Sequence, residues 1–87
     1  MTKETLMEFP CDFPIKVMGE DSAEFRLVAR QIVETHTGTL EGSRVTERHS
    51  TQGRYLALTF TVSADNQQQL DSIYRALTAC ELVKMAL

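Results

Sequence analysis

A chain of 87 residues that is 43% hydrophobic and 24% charged has the make-up of one ordinary globular domain, which excludes a disordered or fibrous segment. Its formal net charge of −3 argues against nucleic acid and anionic membrane surfaces as partners. No apolar run approaches the ~20 residues of a membrane span, the opening MTKETLMEFP with Glu4 and Glu8 does not read as a secretory signal, and with only Cys11 and Cys80 the expected compartment is the cytoplasm.

Residues 1–12 read as an extended arm. Leu6, Met7 and Phe9 are apolar but precede the first periodic run, while Pro10 and Pro14 hold the backbone extended and lack an N–H. The arm is expected to pack on the sheet or its edge, bringing Glu8 and Asp12 towards lysines. Phe13, Ile15 and Val17 then show the two-residue period of a half-buried strand, which Gly19 ends. Asp21 and Glu24 stand at capping-box spacing. Phe25, Val28, Ala29, Ile32, Val33 and His36 follow at helical spacing, and Gly38 stands where helices commonly stop, so a helix is predicted over about 22–36. Strands are predicted over 44–49 and 54–62, joined as a hairpin by the loop STQG. In the second of these, Leu56, Leu58, Phe60 and Val62 alternate with Tyr55, Ala57, Thr59 and Thr61. Ser63 or Asp65 can cap a second helix whose apolar face is Leu70, Ile73, Tyr74 and Leu77. The closing ELVKMAL alternates again, with Val83, Met85 and Leu87 on one face.

The order βαββαβ, with right-handed crossovers and helices on one face, predicts an α+β, ferredoxin-like sandwich with a four-stranded antiparallel sheet of order 4-1-3-2. The first and last strands then lie side by side. Setting Phe13 opposite Leu87, Ile15 opposite Met85 and Val17 opposite Val83 turns all six under the helices and places Lys16 opposite Lys84 on the open face. In the hairpin, Arg48 is expected by Tyr55, Thr46 by Ala57 and Arg44 by Thr59. Lys16, Lys84, Arg44, Arg48 and Tyr55 are therefore the candidate ligand or partner surface. These long side chains can simply run out to water; the sharper expectation is that something acidic covers the face: a ligand, a partner chain or the chain's own arm.

The expected register separates Cys11 from Cys80 by roughly 20 Å of strand, too far for a disulfide, and both are expected as free thiols. His36, His49 and the cysteines lack metal-ligand spacing. His36 is expected to act at the C-terminal end of the first helix, and His49 has no assigned role. No nucleophile with a convergent base and no Gly-rich phosphate loop is visible, so no catalytic residue, metal or cofactor is assigned. Gly19, Glu20 and Asp21 form a candidate effector loop, because glycine permits close backbone approach and a helix N-terminus favours anions. Against that, Gly19 can merely end a strand, Asp21 can merely cap a helix, and two acids repel an acidic ligand.

The stretch EFPCDFPIKVMG near the start and ELVKMAL at the end resemble the YbeD-like family of small bacterial proteins of unknown function. The resemblance spans nearly the whole chain and rests most specifically on Phe9-Pro10, Phe13, Lys16-Val17-Met18-Gly19, Val83, Met85 and Leu87. It implies a ferredoxin-like fold akin to ACT-like regulatory ligand-binding domains, in which the loop after the first strand often contacts small effectors. It implies no established activity. Some members are encoded near lipoate-attachment functions, which implies a metabolic setting. The expectation is a non-enzymatic regulatory module that senses a small metabolite or binds a partner protein, able to form a homodimer through a sheet edge or the sheet face. The alternatives are an enzyme or enzyme accessory with a loop-built site, and an RNA-binding module, for which Tyr55 alone is a poor stacking platform.

Overall fold

The computed structural model describes residues 8–87. Leu6 and Met7 of the expected arm lie outside the described residues. In chain order the elements are β1 (Cys11–Glu20), α1 (Ala23–Thr37), one 3-10 turn (Gly42–Arg44), β2 (Val45–His49), β3 (Tyr55–Ala64), α2 (Gln67–Thr78) and β4 (Met85–Ala86). The strands form an antiparallel sheet of order β2-β3-β1-β4, and both helices pack on one face of it. This is the α+β, ferredoxin-like arrangement that the alternating and helical periods imply.

The spine is the pairing of β1 with β3, from Cys11 opposite Ala64 to Glu20 opposite Tyr55. Ile15 and Val17 from β1, and Leu56, Leu58, Phe60 and Val62 from β3, point under the helices and are buried. They meet Phe25, Ala29 and Val33 of α1 and Leu70, Ile73 and Leu77 of α2. Each large side chain so buried contributes about 1.5–3 kcal/mol. Phe9, from the expected arm, is partly buried against this cluster, and β1 begins at Cys11. Cys11 and Cys80 are free thiols, both half-buried.

Two helix caps differ from expectation. Ser22, not Asp21, caps α1: its Oγ accepts the Phe25 N–H at 3.0 Å. Asn66, not Ser63 or Asp65, caps α2, with Oδ1 accepting the Gln69 N–H at 2.8 Å. The reason is that β3 runs on to Ala64, because Val62 and Ala64 continue its buried alternation. Gly38 ends α1 at φ 85°, a conformation that favours glycine. In the β2–β3 hairpin, Gly53 takes φ 74° and donates to the Ser50 carbonyl at 2.9 Å.

Both inferred registers are corrected. Arg48 lies opposite Ala57 and Thr46 opposite Thr59, two positions from the expected pairing. An even shift keeps every side chain on its face, so Arg48 and Thr46 remain on the open side. Between β1 and β4 the shift is odd: Val17 lies opposite Ala86, not Val83, and Met18 opposite Met85. Ala86 therefore turns to the core, while Met85 and Leu87 turn outward, 49% and 61% exposed. The cause lies upstream. Residues 80–83 are not strand but a turn closed by the Val83 N–H on the Cys80 carbonyl at 3.1 Å, and it tucks Leu82 and Val83 against the core. Lys84 is consequently not opposite Lys16. Its N–H donates to the Met18 carbonyl at 2.7 Å, and its side chain lines a hollow with Glu20 and Asp21.

The same edge explains Pro14. Lys16 exchanges both backbone hydrogen bonds with Leu87, at 3.0 and 2.8 Å, so the even-numbered residues of β1 present their backbone groups towards β4. Pro14 falls two residues earlier, where no strand among the described residues lies alongside. A residue without an N–H costs no ladder bond there and leaves less of the edge open to pairing.

Candidate functional site

Successive partners across the sheet assemble the open face into rows. One row crosses all four strands: Arg48, Ala57, Met18, Met85. Glu20 and Tyr55 pair on the hairpin side of it, and Thr46, Thr59 and Lys16 on the other. Ala57 has the smallest side chain in its neighbourhood. The dip it leaves, bordered by Met18, Arg48 and Tyr55 and closed by hairpin residues His49 and Ser50, is a hollow of about 210 Å³. Tyr55 is 44% exposed and carries the Arg54 guanidinium 5.8 Å from its ring centre. Of the large hydrophobic residues exposed among the described ones, Tyr55, Met85 and Leu87 are all on this face and only Leu27 is elsewhere. Three of the four exposed large hydrophobic side chains among the described residues thus share one face of the sheet.

The cations expected on this face separate into two kinds. Arg44 is engaged: its Nη1 lies 2.9 Å from Asp12 Oδ1, so Asp12 approaches an arginine and not a lysine. Lys16 and Arg48 have no ion-pair partner among the described residues. Lys84 is off the face.

The expected effector loop is built differently from a ligand cradle. A Cβ on Gly19 would sit 2.5 Å from the Leu82 carbonyl oxygen and 2.7 Å from the Phe25 ring, so the close approach that glycine permits is already occupied by the protein itself. Asp21 has both carboxylate oxygens engaged, Oδ1 with Arg26 Nη1 at 2.8 Å and Oδ2 with His49 Nε2 at 3.1 Å, and its N–H donates to the Arg54 carbonyl at 3.0 Å. Arg26 also reaches Glu47 Oε2 at 3.1 Å, and that hydrogen bond foremost raises its pKa above the ordinary arginine value. The result is a clasp from the β1–α1 loop to the hairpin. The adjoining hollow of about 190 Å³ is lined by Glu20, Asp21 and Glu81 against Lys84 alone, an acidic balance unsuited to an anionic effector.

A further hollow, about 360 Å³, lies under Leu27 between α1 and β2, over Leu58 and Phe60. Both of its arginines are committed, Arg26 as above and Arg30 to Glu34 at 3.0 Å and to the Leu40 carbonyl at 2.6 Å. His36 sits as expected near the end of α1, its Nδ1 3.0 Å from the Ile32 carbonyl.

Residues 4–87 match the family described as "Protein of unknown function (DUF493)". The chain belongs to that family. This DUF493 chain is 46% identical to a UPF0250 protein of Neisseria gonorrhoeae over 98% of its own length and 93% of the relative's. It is 48% identical to one of Paraburkholderia phytofirmans, over 97% and 94%. With one of Chromobacterium violaceum the identity is 47%, over 98% and 96%. It is similar to small bacterial proteins of unknown function along nearly its whole length, as the resemblance to the YbeD-like family implies. None of its described helices is long and apolar enough to cross a membrane.

Sequence reasoning missed the part played by four residues. Met85 and Leu87 on the open face followed from the odd register shift, which only tertiary packing decides. His49 in the clasp had no local sign, because its partner Asp21 is far away in sequence. Ala57 was legible as an outward position, but not as the low point of a hollow.

Proposed function

We propose that this DUF493 protein is a non-enzymatic binding module of the bacterial cytoplasm that acts by holding a partner protein on the open face of its sheet. The observation that carries the reading is the row Arg48–Ala57–Met18–Met85: apolar surface spanning the sheet, bounded by Tyr55 and Leu87 and joined to two cations without ion-pair partners among the described residues. Exposed aromatic and methionine surface beside arginine is the composition that protein contacts favour. Cations on a chain of net charge −3 suit a partner with an acidic contact segment. The hollow on this face, about 210 Å³, falls below the ~300–1,000 Å³ usual for small-molecule sites, which favours a protein partner over a metabolite on this face; the 360 Å³ hollow under Leu27 lies on the helical side of the sheet.

The test is co-purification from a native host of the full chain, of the Lys16→Glu/Arg48→Glu double variant, and of Arg75→Glu on α2 as control. The expected result is a defined partner retained by the wild type and the control but lost by the double variant at unchanged thermal stability. Equal retention by all three would overturn the assignment of the face. Substrate turnover abolished by a single substitution away from the face would favour the enzyme alternative.

A further inference from the structure

The hollow at Ala57 carries the open-face reading one step further, and its role as a subsite rests on that reading. Its volume of about 210 Å³ suits one large side chain and little more. Its lining is mostly apolar: Met18, Tyr55 and Ala57, closed by residues of the hairpin. Methionine adapts its shape to what it meets, and tyrosine offers a rigid apolar wall. Charge is asymmetric around it. Arg48, across from Ala57 on the β2 side, lines the hollow and has no carboxylate partner among the described residues, whereas on β1 Glu20 and Lys16 stand on either side of Met18 and offset each other. An incoming acidic group beside the hollow is therefore drawn to Arg48 on the β2 side.

We infer that the hollow is the anchoring subsite for the partner, and that it takes one bulky apolar side chain of a peptide segment whose neighbouring carboxylate pairs with Arg48. The partner's contact segment is thus an acidic peptide with an apolar anchor, oriented with its acidic residue over β2. A guanidinium can meet a carboxylate through two parallel hydrogen bonds, which fixes that orientation as well as adding affinity.

The test is a titration of isotope-labelled full chain, followed by backbone amide NMR, with N-acetylated and C-amidated peptides. One has phenylalanine between glutamates, one alanine in the same setting, and one phenylalanine between lysines. The glutamate–phenylalanine peptide should give saturable shifts centred on Met18, Tyr55 and Ala57 and bind at least ~10-fold more tightly than the alanine peptide. The lysine peptide should not bind. Arg48→Glu should reverse the preference between glutamate and lysine flanks, and Ala57→Leu, which fills the hollow from an outward position, should abolish binding without lowering the melting temperature. Shifts centred elsewhere, or equal binding of the phenylalanine and alanine peptides, would overturn the subsite. So would phenylpropionate binding as tightly as the peptide, which would point to a small carboxylate, or a single-stranded RNA oligonucleotide shifting the same residues in its place. If no peptide binds while co-purification still depends on Lys16 and Arg48, the subsite falls and the partner surface stands; if that dependence is also missing, both fall.

Discussion

Gly19 is where a single hydrogen in place of a methyl decides local structure. A Cβ there would meet the Leu82 carbonyl and the Phe25 ring at distances that real Cβ atoms essentially never show, and a backbone carbonyl cannot swing aside. Gly19→Ala is expected to lower stability by about 1–3 kcal/mol in urea denaturation, the usual cost of overpacking; an unchanged midpoint would contradict the packing role. Glu34 makes a different kind of contribution. Its Oε2 accepts the Leu40 N–H at 2.7 Å and Arg30 Nε at 3.0 Å, and the Leu40 bond foremost holds its carboxyl below the usual range, against a smaller opposing effect of burial. A lowered folded pKa means that the contribution is complete above the ordinary glutamate value of about 4.3 and is lost as the pH falls through the folded value. The stability gap between wild type and Glu34→Gln should therefore narrow on acidification below that range; a gap constant with pH would contradict it. Neither residue announces its partner in the sequence. Gly19 reads as a strand end and Glu34 as one more polar residue on a helix, because Leu82 and Leu40 reach them only once the chain has folded back.

Elements with their own periodicity were legible, and elements that depend on another for their register were not. The buried alternation of β3 and the helical spacing of α1 identify those elements because each repeats over many residues. The tail ELVKMAL holds only a short alternation, and either parity leaves apolar residues on both faces. Burial of Leu82 and Val83 in the preceding turn selects the parity that turns Ala86 inward. The two parities make opposite predictions. Here Met85→Lys should change stability by less than ~0.5 kcal/mol, while Ala86→Glu, placing a charge against the core, should cost more than ~2 kcal/mol. The reverse order in thermal denaturation would restore the all-inward register and remove Met85 from the open face. The caps show the same limit on a smaller scale. Asp21 and Ser22 are both suitable at a helix start; the Asp21 carboxylate is engaged by Arg26 and by the distant His49, and Ser22 caps. Ser22→Ala should cost ~1 kcal/mol, measured by denaturant unfolding; no loss would show that the cap is not formed.

For the molecule as a whole, the distribution of charge matters more than its sum. The formal charge of −3 suggests an acidic surface, yet Lys16 and Arg48 stand on one face with Tyr55, Met85 and Leu87 around them. That face was partly legible: Lys16, Arg48 and Tyr55 are placed on it by strand alternation, which survives an even slip, whereas Arg44 belongs to the 3-10 turn before β2 and is held there by Asp12. Lys84 was misplaced and the two apolar residues of the tail were missed, because the odd slip exchanged them. The activity was not legible at all, since a binding face of the kind proposed needs no catalytic motif. The most direct check of the face as a partner surface is photo-crosslinking in the native host, with a photoreactive residue at Thr59 on the open side or at Gln68 on the helical side. The account predicts a discrete protein adduct from position 59 that disappears with Arg48→Glu, and none from position 68. An adduct from position 68 alone, or one from position 59 indifferent to Arg48→Glu, would contradict it.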